Sequence, residues 1–203
     1  LDDKVITGWN GLMIDAFAFA GHALRQPRYV KVAARAADFA LGALRGADGR
    51  LHRAWRNGTV SGVATLDDYA WLIGGLLSLY EATGEARWLT EARALQATLD
   101  RWYADPDGGY FATAEDGEAL LTREKPEYDG ARPAGNSSAA MNLLRLEVLT
   151  GERAYGARAE KLFAAFAEPL NGAGHALPGM LAALDFAHDT PREVVLVQTA
   201  ADP

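Results

Sequence analysis

The stretch LDDYAWLIGGLLSLYEATGEARWLTEARALQATLDRW, residues 66–102, contains the pattern that decides the fold. Between Tyr69 and Leu79 the only polar residue is Ser78, so this segment predicts a helix that is buried nearly all round. Gly84 follows at the position of a helix C-cap, and the segment after it has the amphipathic pattern of a half-exposed helix. The stretch therefore predicts a hairpin of one inner and one outer helix.

The same hairpin pattern occurs twice more, over residues 11–45 and 135–168. Tyr29, Trp88 and Tyr155 take equivalent positions just after the three turns and are 59 and 67 residues apart. Alternating buried and half-exposed antiparallel helices are typical of a curved double layer.

A further apolar segment from Pro178 begins a fourth unit that is not completed. The fold class that follows is all-α: a fragment of an α/α toroid with about three and a half helical hairpins. We expect it to form a single partial domain over residues 1–203 of a longer chain.

The connections differ in length, and this difference orients the molecule. Turns from inner to outer helices are short, whereas the returns, near 46–66, 104–134 and 168–177, are long. Because the helices alternate in direction, all long connections should lie at one end, where function is expected. Asp116 and Gly117 predict a small β-hairpin over 108–123, and residues 193–198 predict a strand.

The composition excludes several functional classes. With 20 Lys and Arg against 27 Asp and Glu, the net charge of -7 leaves no basic surface for nucleic acid. No segment is long enough to span a membrane. The chain has no Cys, which excludes disulfides and Cys-ligated zinc and is consistent with a cytoplasmic location. As a fragment it should expose faces of Phe17, Phe19 and Phe186 and self-associate.

The candidate site residues are polar and aromatic side chains that the alternation of helices sends to the loop-rich end. We expect them to converge on one pocket for a sugar-like molecule. They are Asp3, Trp9, Asn10, Asp68, Tyr69, Asp129, Asn136 and Ser137.

Within this set, Asp68 and Asp129 are the candidates for acid/base catalysis, Trp9 and Tyr69 for stacking, and Asn10 with Asn136 for hydroxyl recognition. Asp67, Asn136 and Ser137 are alternatively N-cap residues. If Asp67 caps its helix, Asp68 is free to face the cavity or to pair with an Arg.

Two chemistries fit such a pocket. A pair of carboxylates flanking the bond suffices for glycoside hydrolysis, whereas an epimerase needs two acid/base groups next to a carbonyl, for which His52 and His175 are the alternative pair. The chain contains no phosphate loop, dinucleotide fingerprint, HExxH or GxSxG motif, so neither a cofactor nor a metal is expected.

Several strings carry a family resemblance across most of the chain. They are DDKVITGWNGLM (2–13), LDDYAWLIGGLLSLYEATGE (66–85), DPDGGYF (105–111), KPEYDGARPAGNSSAAMN (125–142), NLLRLEVLTG (142–151) and PGMLAALD (178–185). In them the chain resembles the C-terminal part of the thioredoxin-domain family that includes spermatogenesis-associated protein 20.

The resemblance implies a toroid similar to N-acylglucosamine 2-epimerase, cellobiose epimerase and six-hairpin glycosidases. It also implies a thioredoxin-like domain, N-terminal in the parent chain, as a partner. All eight candidate site residues lie in the matching strings, but His52 and His175 do not. The implied activity is hydrolysis or isomerisation of a sugar through carboxylates, and the competing reading is a non-catalytic scaffold that binds a glycan or a protein.

Overall fold

The structure is a computed structural model that describes residues 2–189. Helices dominate this range, as the repeat predicts. They are α1 Thr7–Ala23, α2 Pro27–Ala43, α3 Leu66–Thr83, α4 Ala86–Trp102, α5 Gly135–Thr150, α6 Arg153–Ala165, α7 Ala167–Ala173 and α8 Pro178–His188.

The predicted division into inner and outer helices is confirmed. Helix α3 packs against α1, α4 and α5, and its residues from Leu66 to Leu79 are buried at all but two positions. Helices α2, α4 and α6 each bury one stripe, such as Ala33, Ala37 and Ala40 of α2. The inner helices are therefore α1, α3, α5 and α8, and the short α7 lies in the last long connection.

Close approach of α1 and α3 requires glycine on both helices. A Cβ on Gly11 would lie 2.5 Å from the backbone of Leu72, and a Cβ on Gly75 would lie 2.7 Å from the carbonyl oxygen of Gly11. Backbone atoms cannot move aside as a flexible side chain can, so these contacts determine the spacing of the two inner helices.

The small sheet is in a different connection from the one predicted. Strands β1 Val5–Ile6, β2 His52–Arg56 and β3 Thr59–Val63 pair antiparallel in the order β1-β2-β3. Asn57 and Gly58 form the turn with φ of 49° and 83°, as a two-residue hairpin turn requires.

The predicted hairpin over 108–123 is therefore wrong. Gly117 does not have the positive φ that a two-residue hairpin turn requires. Its N–H instead donates a hydrogen bond to the carbonyl of Ala114, three residues earlier, and residues 108–123 form no β-strand. The predicted strand 193–198 lies outside the described residues.

The long connections lie at one end of the helices, as predicted, since they bond to one another. The Leu66 N–H donates to Ala112 at 3.0 Å, Arg50 pairs with Asp116 at 2.6 Å, and the Asp129 N–H donates to Ala176 at 2.9 Å. At the opposite end, Gly84 and Gly151 cap their helices with φ of 70° and 72°.

Phe19 and Phe186 are exposed, as predicted for open flanks, whereas Phe17 is partly covered by the ring of Tyr29. No helix within residues 2–189 combines the length and the apolar character that crossing a bilayer requires.

Candidate functional site

A cavity of about 250 Å³ lies between the four inner helices. Its walls combine small residues with a few polar and aromatic groups. The lining residues are Leu12, Asp15, Ala70, Trp71, Gly74, Pro133, Ser137, Ser138, Met141, Asn142, Arg145, Gly179 and Ala182. We call this space the central cavity.

A polar network that joins three inner helices borders the central cavity. Ser78 of α3 donates a hydrogen bond to Oδ1 of Asp15 on α1, and Arg145 of α5 donates to the Ser78 hydroxyl at 3.0 Å. Arg145 also pairs with Glu81 at 2.9 Å. Two carboxylates and one guanidinium meet here, so this network is net negative.

Asp15 differs from Glu81, the other acid of the network, in two ways. It lines the cavity, and within residues 2–189 no ion pair or hydrogen bond engages its Oδ2. A carboxylate held through one oxygen keeps the other available to accept a bond from a ligand hydroxyl.

Asn142 and Trp71 form the next part of the wall. The Asn142 side chain donates to the Ala70 carbonyl at 2.7 Å and is buried. The Trp71 indole is also buried, and among the described residues its Nε1 has no hydrogen-bond partner. The Arg132 guanidinium lies 5.1 Å from the centre of that ring.

Asp67 lies beside this wall, 3.9 Å from Arg132. Desolvation by burial raises the pKa of its carboxyl above the ordinary value of 3.8. Asp67 is the second residue of α3 and does not cap it, since Thr65 is the N-cap.

Asp129 holds the first turns of two inner helices together. Its Oδ1 accepts from the N–H of Ala134 at 2.7 Å, and its Oδ2 accepts from the Ser137 hydroxyl at 3.1 Å and from the Gly179 N–H at 2.8 Å. Because Ser137 and Gly179 line the central cavity, Asp129 supports the cavity edge without being part of its lining.

Asp68 forms the capping box of α3 and is not free. Its Oδ2 accepts from the Thr65 N–H at 2.8 Å and from Arg53 at 3.1 Å, while its Oδ1 accepts from the Gly8 N–H at 2.9 Å. Asp68 as a whole residue is 1% exposed. The expectation that it faces the cavity is therefore wrong, although the alternative, a pair with an Arg, is confirmed.

Tyr69 and Asn136 are also committed to internal contacts. Tyr69 is 0% exposed, packs against Tyr103, and accepts from the Leu51 N–H at 2.9 Å, so its predicted stacking on a ligand is wrong. Asn136 is 0% exposed and bonds the backbone of Tyr110 in both directions at 2.8 and 3.0 Å, and that of Pro126 at 2.9 Å. It secures the longest loop and neither caps α5 nor faces the cavity.

The remaining predicted residues lie apart from the cavity. Asp3 pairs with Arg56 at 2.5 Å, Asn10 donates to the Ile6 carbonyl at 2.8 Å, and Trp9 is exposed on α1. Of the eight predicted residues only Ser137 lines the central cavity, so the predicted convergence on one pocket is wrong.

Sequence reasoning did not select Asp15 for the site. The available signal was an isolated acid in an otherwise apolar inner helix. The stripe of Ser138, Asn142 and Arg145 at helical spacing was a stronger signal, and all three residues line the cavity. His52 and His175 do not.

The sequence of this chain is similar to that of known proteins. No protein-family model matches it. Over 97% of its length it is 39% identical to spermatogenesis-associated protein 20 of Mus musculus and 38% identical to that of Homo sapiens. The chain spans only 26% of the length of these relatives.

The fold of this chain is similar to that of several solved structures. A family 76 α-mannanase of Bacteroides thetaiotaomicron superposes with a TM-score of 0.72 at 17% identity, over 90% of this chain and 52% of the mannanase. Cellobiose 2-epimerase of Spirochaeta thermophila gives 0.64 at 21% identity, over 80% and 43%. Both resemblances that the motifs predicted are thus confirmed: the chain is a homologue of a C-terminal portion of spermatogenesis-associated protein 20, folded as part of an α/α toroid of the kind found in carbohydrate-acting enzymes.

Proposed function

We propose that this chain forms one wall of a sugar-binding cleft and that the complete protein acts there on a hexose or a glycosidic substrate. The observation that carries the proposal is the central cavity, in which all four inner helices meet and polar side chains interrupt otherwise apolar walls. Its volume of about 250 Å³ is close to the lower limit of ~300 Å³ for small-molecule sites, which is room for one ring of a sugar ligand.

The chemistry of the wall supports a ligand rich in hydroxyl groups. Asp15 supplies an acceptor oxygen, Ser138 supplies a hydroxyl, and Trp71 supplies an aromatic edge. The net negative charge of the Asp15, Glu81 and Arg145 network disfavours an anionic ligand at this position.

Three carboxylates have separate roles in this proposal. Asp15 contacts the ligand and is the acid/base candidate on this wall. Asp129, which bonds two residues of the lining, holds the cavity edge, and Asp68 holds the framework. The mannanase and the cellobiose epimerase with this fold suggest mannobiose and cellobiose as first probes.

The test is a calorimetric titration of the complete protein with each disaccharide. We expect at least one of them to bind, and Asp15→Ala to weaken that binding by about tenfold or more, because a hydrogen bond to a charged group is lost. The melting temperature of Asp15→Ala should fall by no more than about 4 °C, since only the hydrogen bond from Ser78 is lost. Glu160→Ala, which removes an exposed carboxylate from outer helix α6, is the matched control and should bind as the parent does.

Product analysis separates the enzyme from a scaffold. Turnover at saturating sugar that falls by on the order of 10²-fold in Asp15→Asn supports the acid/base role of Asp15. Binding without turnover supports the non-catalytic glycan-binding reading. If neither sugar binds, or if Asp15→Ala binds like the parent, the proposed site is wrong.

A further inference from the structure

Asp15 presents a negative charge to the central cavity that the described part of the chain leaves uncompensated. Its Oδ1 accepts a hydrogen bond from Ser78, and no cationic side chain within residues 2–189 forms an ion pair with it. Many of the lining residues around it are small and apolar, and an unpaired charge is costly in such surroundings. The cavity therefore favours a ligand group that brings a positive charge.

The two arginines near this wall do not supply that charge. Arg145 lines the cavity, but its Nε and Nη2 form a two-pronged pair with the carboxylate of Glu81, at 3.1 and 2.9 Å. Arg132 pairs with Asp67 at 3.9 Å and is not part of the lining. Because each guanidinium has its own carboxylate, the charge of Asp15 remains as the net charge of the wall.

A second acceptor opens on the same cavity. Asn142 is 2% exposed, and its Nδ2 donates to the Ala70 carbonyl, which identifies the remaining amide atom as Oδ1. Within residues 2–189 this Oδ1 accepts no hydrogen bond, and it is not sealed in the interior, so it opens on the cavity that Asn142 lines. It lies 3.3 Å from the position that a Cβ on Gly74 would take.

The two acceptors lie at neighbouring levels of the cavity. Asp15 bonds Ser78, and Asn142 Oδ1 lies beside Gly74, four residues earlier on α3. Four residues of helix rise by about 6 Å, which is near the span of two hydrogen bonds of about 2.9 Å each. An ammonium group has three N–H donors and no acceptor, so it can bond both oxygens, whereas a hydroxyl has a single donor.

We propose that the sugar bound in the central cavity is an amino sugar whose protonated amine is held between Asp15 and Asn142. This inference rests on the proposed sugar-binding function and adds the substrate class to it. Two protein oxygens are too few for a metal ion, and no group of three or more His, Asp or Glu side chains in the described chain could hold one. The bound amine also keeps Asp15 ionised, which is the form that a general base needs.

The test is a calorimetric titration of the complete protein at pH 6 with three disaccharides of one shape. Cellobiose carries 2-hydroxyl groups, the glucosamine disaccharide of the same linkage carries protonated amines in their place, and its N-acetylated form carries neutral amides. We expect the amine to bind at least about tenfold more tightly than the other two, because a charge-assisted hydrogen bond replaces a neutral one.

Asp15→Asn keeps the shape of the side chain and removes its charge. It should reduce the preference for the amine over cellobiose to less than about threefold. Glu160→Gln, which removes an exposed negative charge from outer helix α6, is the matched control and should keep the preference of the parent. The control separates a contact with Asp15 from general attraction to a chain with a net charge of -7.

Gly74→Ala tests whether the amine also contacts Asn142. The added methyl group would lie 3.3 Å from Asn142 Oδ1 and cover that acceptor. We expect the amine to bind about fivefold or more weakly. The melting temperature should stay near the parent value, since Ala favours a helix more than Gly does.

Three results overturn this inference and leave the proposed function standing. Cellobiose binds as tightly as the amine, Asp15→Asn retains the preference for the amine, or Gly74→Ala binds the amine as the parent does. If none of the three disaccharides binds, the sugar-binding function itself is wrong, and the inference is wrong with it.

Discussion

Two regions of the molecule use carboxylates in opposite ways. At the loop-rich end, Asp68 and Asp129 each accept several hydrogen bonds, two of them from backbone N–H groups, and every oxygen is engaged. In the central cavity, Asp15 accepts through one oxygen from Ser78, and within the described chain its Oδ2 is not engaged.

The difference separates Asp68 and Asp129, which hold the fold together, from Asp15, which can bind a ligand. A carboxylate that bonds helix N-termini from two elements determines how those elements meet, and its substitution should be felt as a loss of stability. A carboxylate on the side of an inner helix determines little of the fold and is available to a ligand. Substitutions can therefore test this difference. A carboxylate that holds the fold should lose stability when it is replaced, whereas a carboxylate of the site should lose ligand binding.

The largest effect is expected at Asp68. Asp68→Ala leaves the Gly8 N–H buried without its partner, removes the capping box of α3 and breaks the pair with Arg53. We expect the free energy of unfolding to fall by about 3 kcal/mol, since hydrogen bonds to a charged group contribute roughly 1.5–3 kcal/mol each and are not additive. Urea denaturation monitored by circular dichroism measures this loss.

Asp38→Ala is the control for this measurement. Asp38 pairs with Arg87 at the surface, where an ion pair contributes about 0–1 kcal/mol. If Asp68→Ala is as mild as Asp38→Ala, Asp68 does not hold the framework and the comparison between the two regions fails.

A smaller loss is expected at Asn136. Asn136→Ala removes three hydrogen bonds that tie the start of α5 to the backbone of Tyr110 and Pro126. We expect a loss of about 2 kcal/mol in the free energy of unfolding and faster proteolysis within residues 104–134. Ser138→Ala, on the cavity side of the same helix, should leave both quantities near the parent values. Unchanged proteolysis of the Asn136 variant would mean that other contacts secure the loop.

The architecture was predictable because it depends on local periodicity. Apolar residues surround the whole of α3 but follow only one stripe of α2, and this difference determines which helix is inner. Gly84 ends α3 because glycine readily adopts the left-handed conformation of a helix C-cap. The hairpin was misplaced because Asp116 with Gly117 and Asn57 with Gly58 are equally good turn signals. Strand pairing with Val5 and Ile6, a tertiary contact, distinguishes them.

The site was less predictable for a related reason. Two partners of Asp68, Gly8 and Arg53, lie in other elements, and no spacing along the chain reveals that they meet. Only Thr65, three residues earlier, gives a signal in the sequence, as half of a capping box. The motif residues are prominent in the sequence because they build the loop-rich end. The cavity residues, such as Asp15, are single polar positions in apolar helices and resemble ordinary exposed residues until the helices are packed.

The smallest expected effect is that of Asp67→Asn on how the free energy of unfolding depends on pH. Burial raises the pKa of the Asp67 carboxyl, and the negative charge of Asp68 adds to the shift, although Arg132 opposes it. A carboxyl whose pKa is higher in the folded state adds stability at pH below its unfolded value. That contribution is lost as pH rises from 3.8 through the raised value. Asp67→Asn should therefore become more stable relative to the parent between pH 3 and pH 7, as measured by urea unfolding across this range.

Asp116→Asn provides the comparison of opposite sign. The hydrogen bond from Arg50 lowers the pKa of Asp116, so this carboxylate adds stability at pH above its unfolded value and loses it as pH falls through the lowered one. Its variant should be less stable than the parent at pH 7 and approach it in acid. If Asp67→Asn follows the same course as Asp116→Asn, Arg132 dominates the surroundings of Asp67. The loop-rich end would then contain only satisfied carboxylates, and the contrast with Asp15 in the central cavity would apply to that whole end of the molecule.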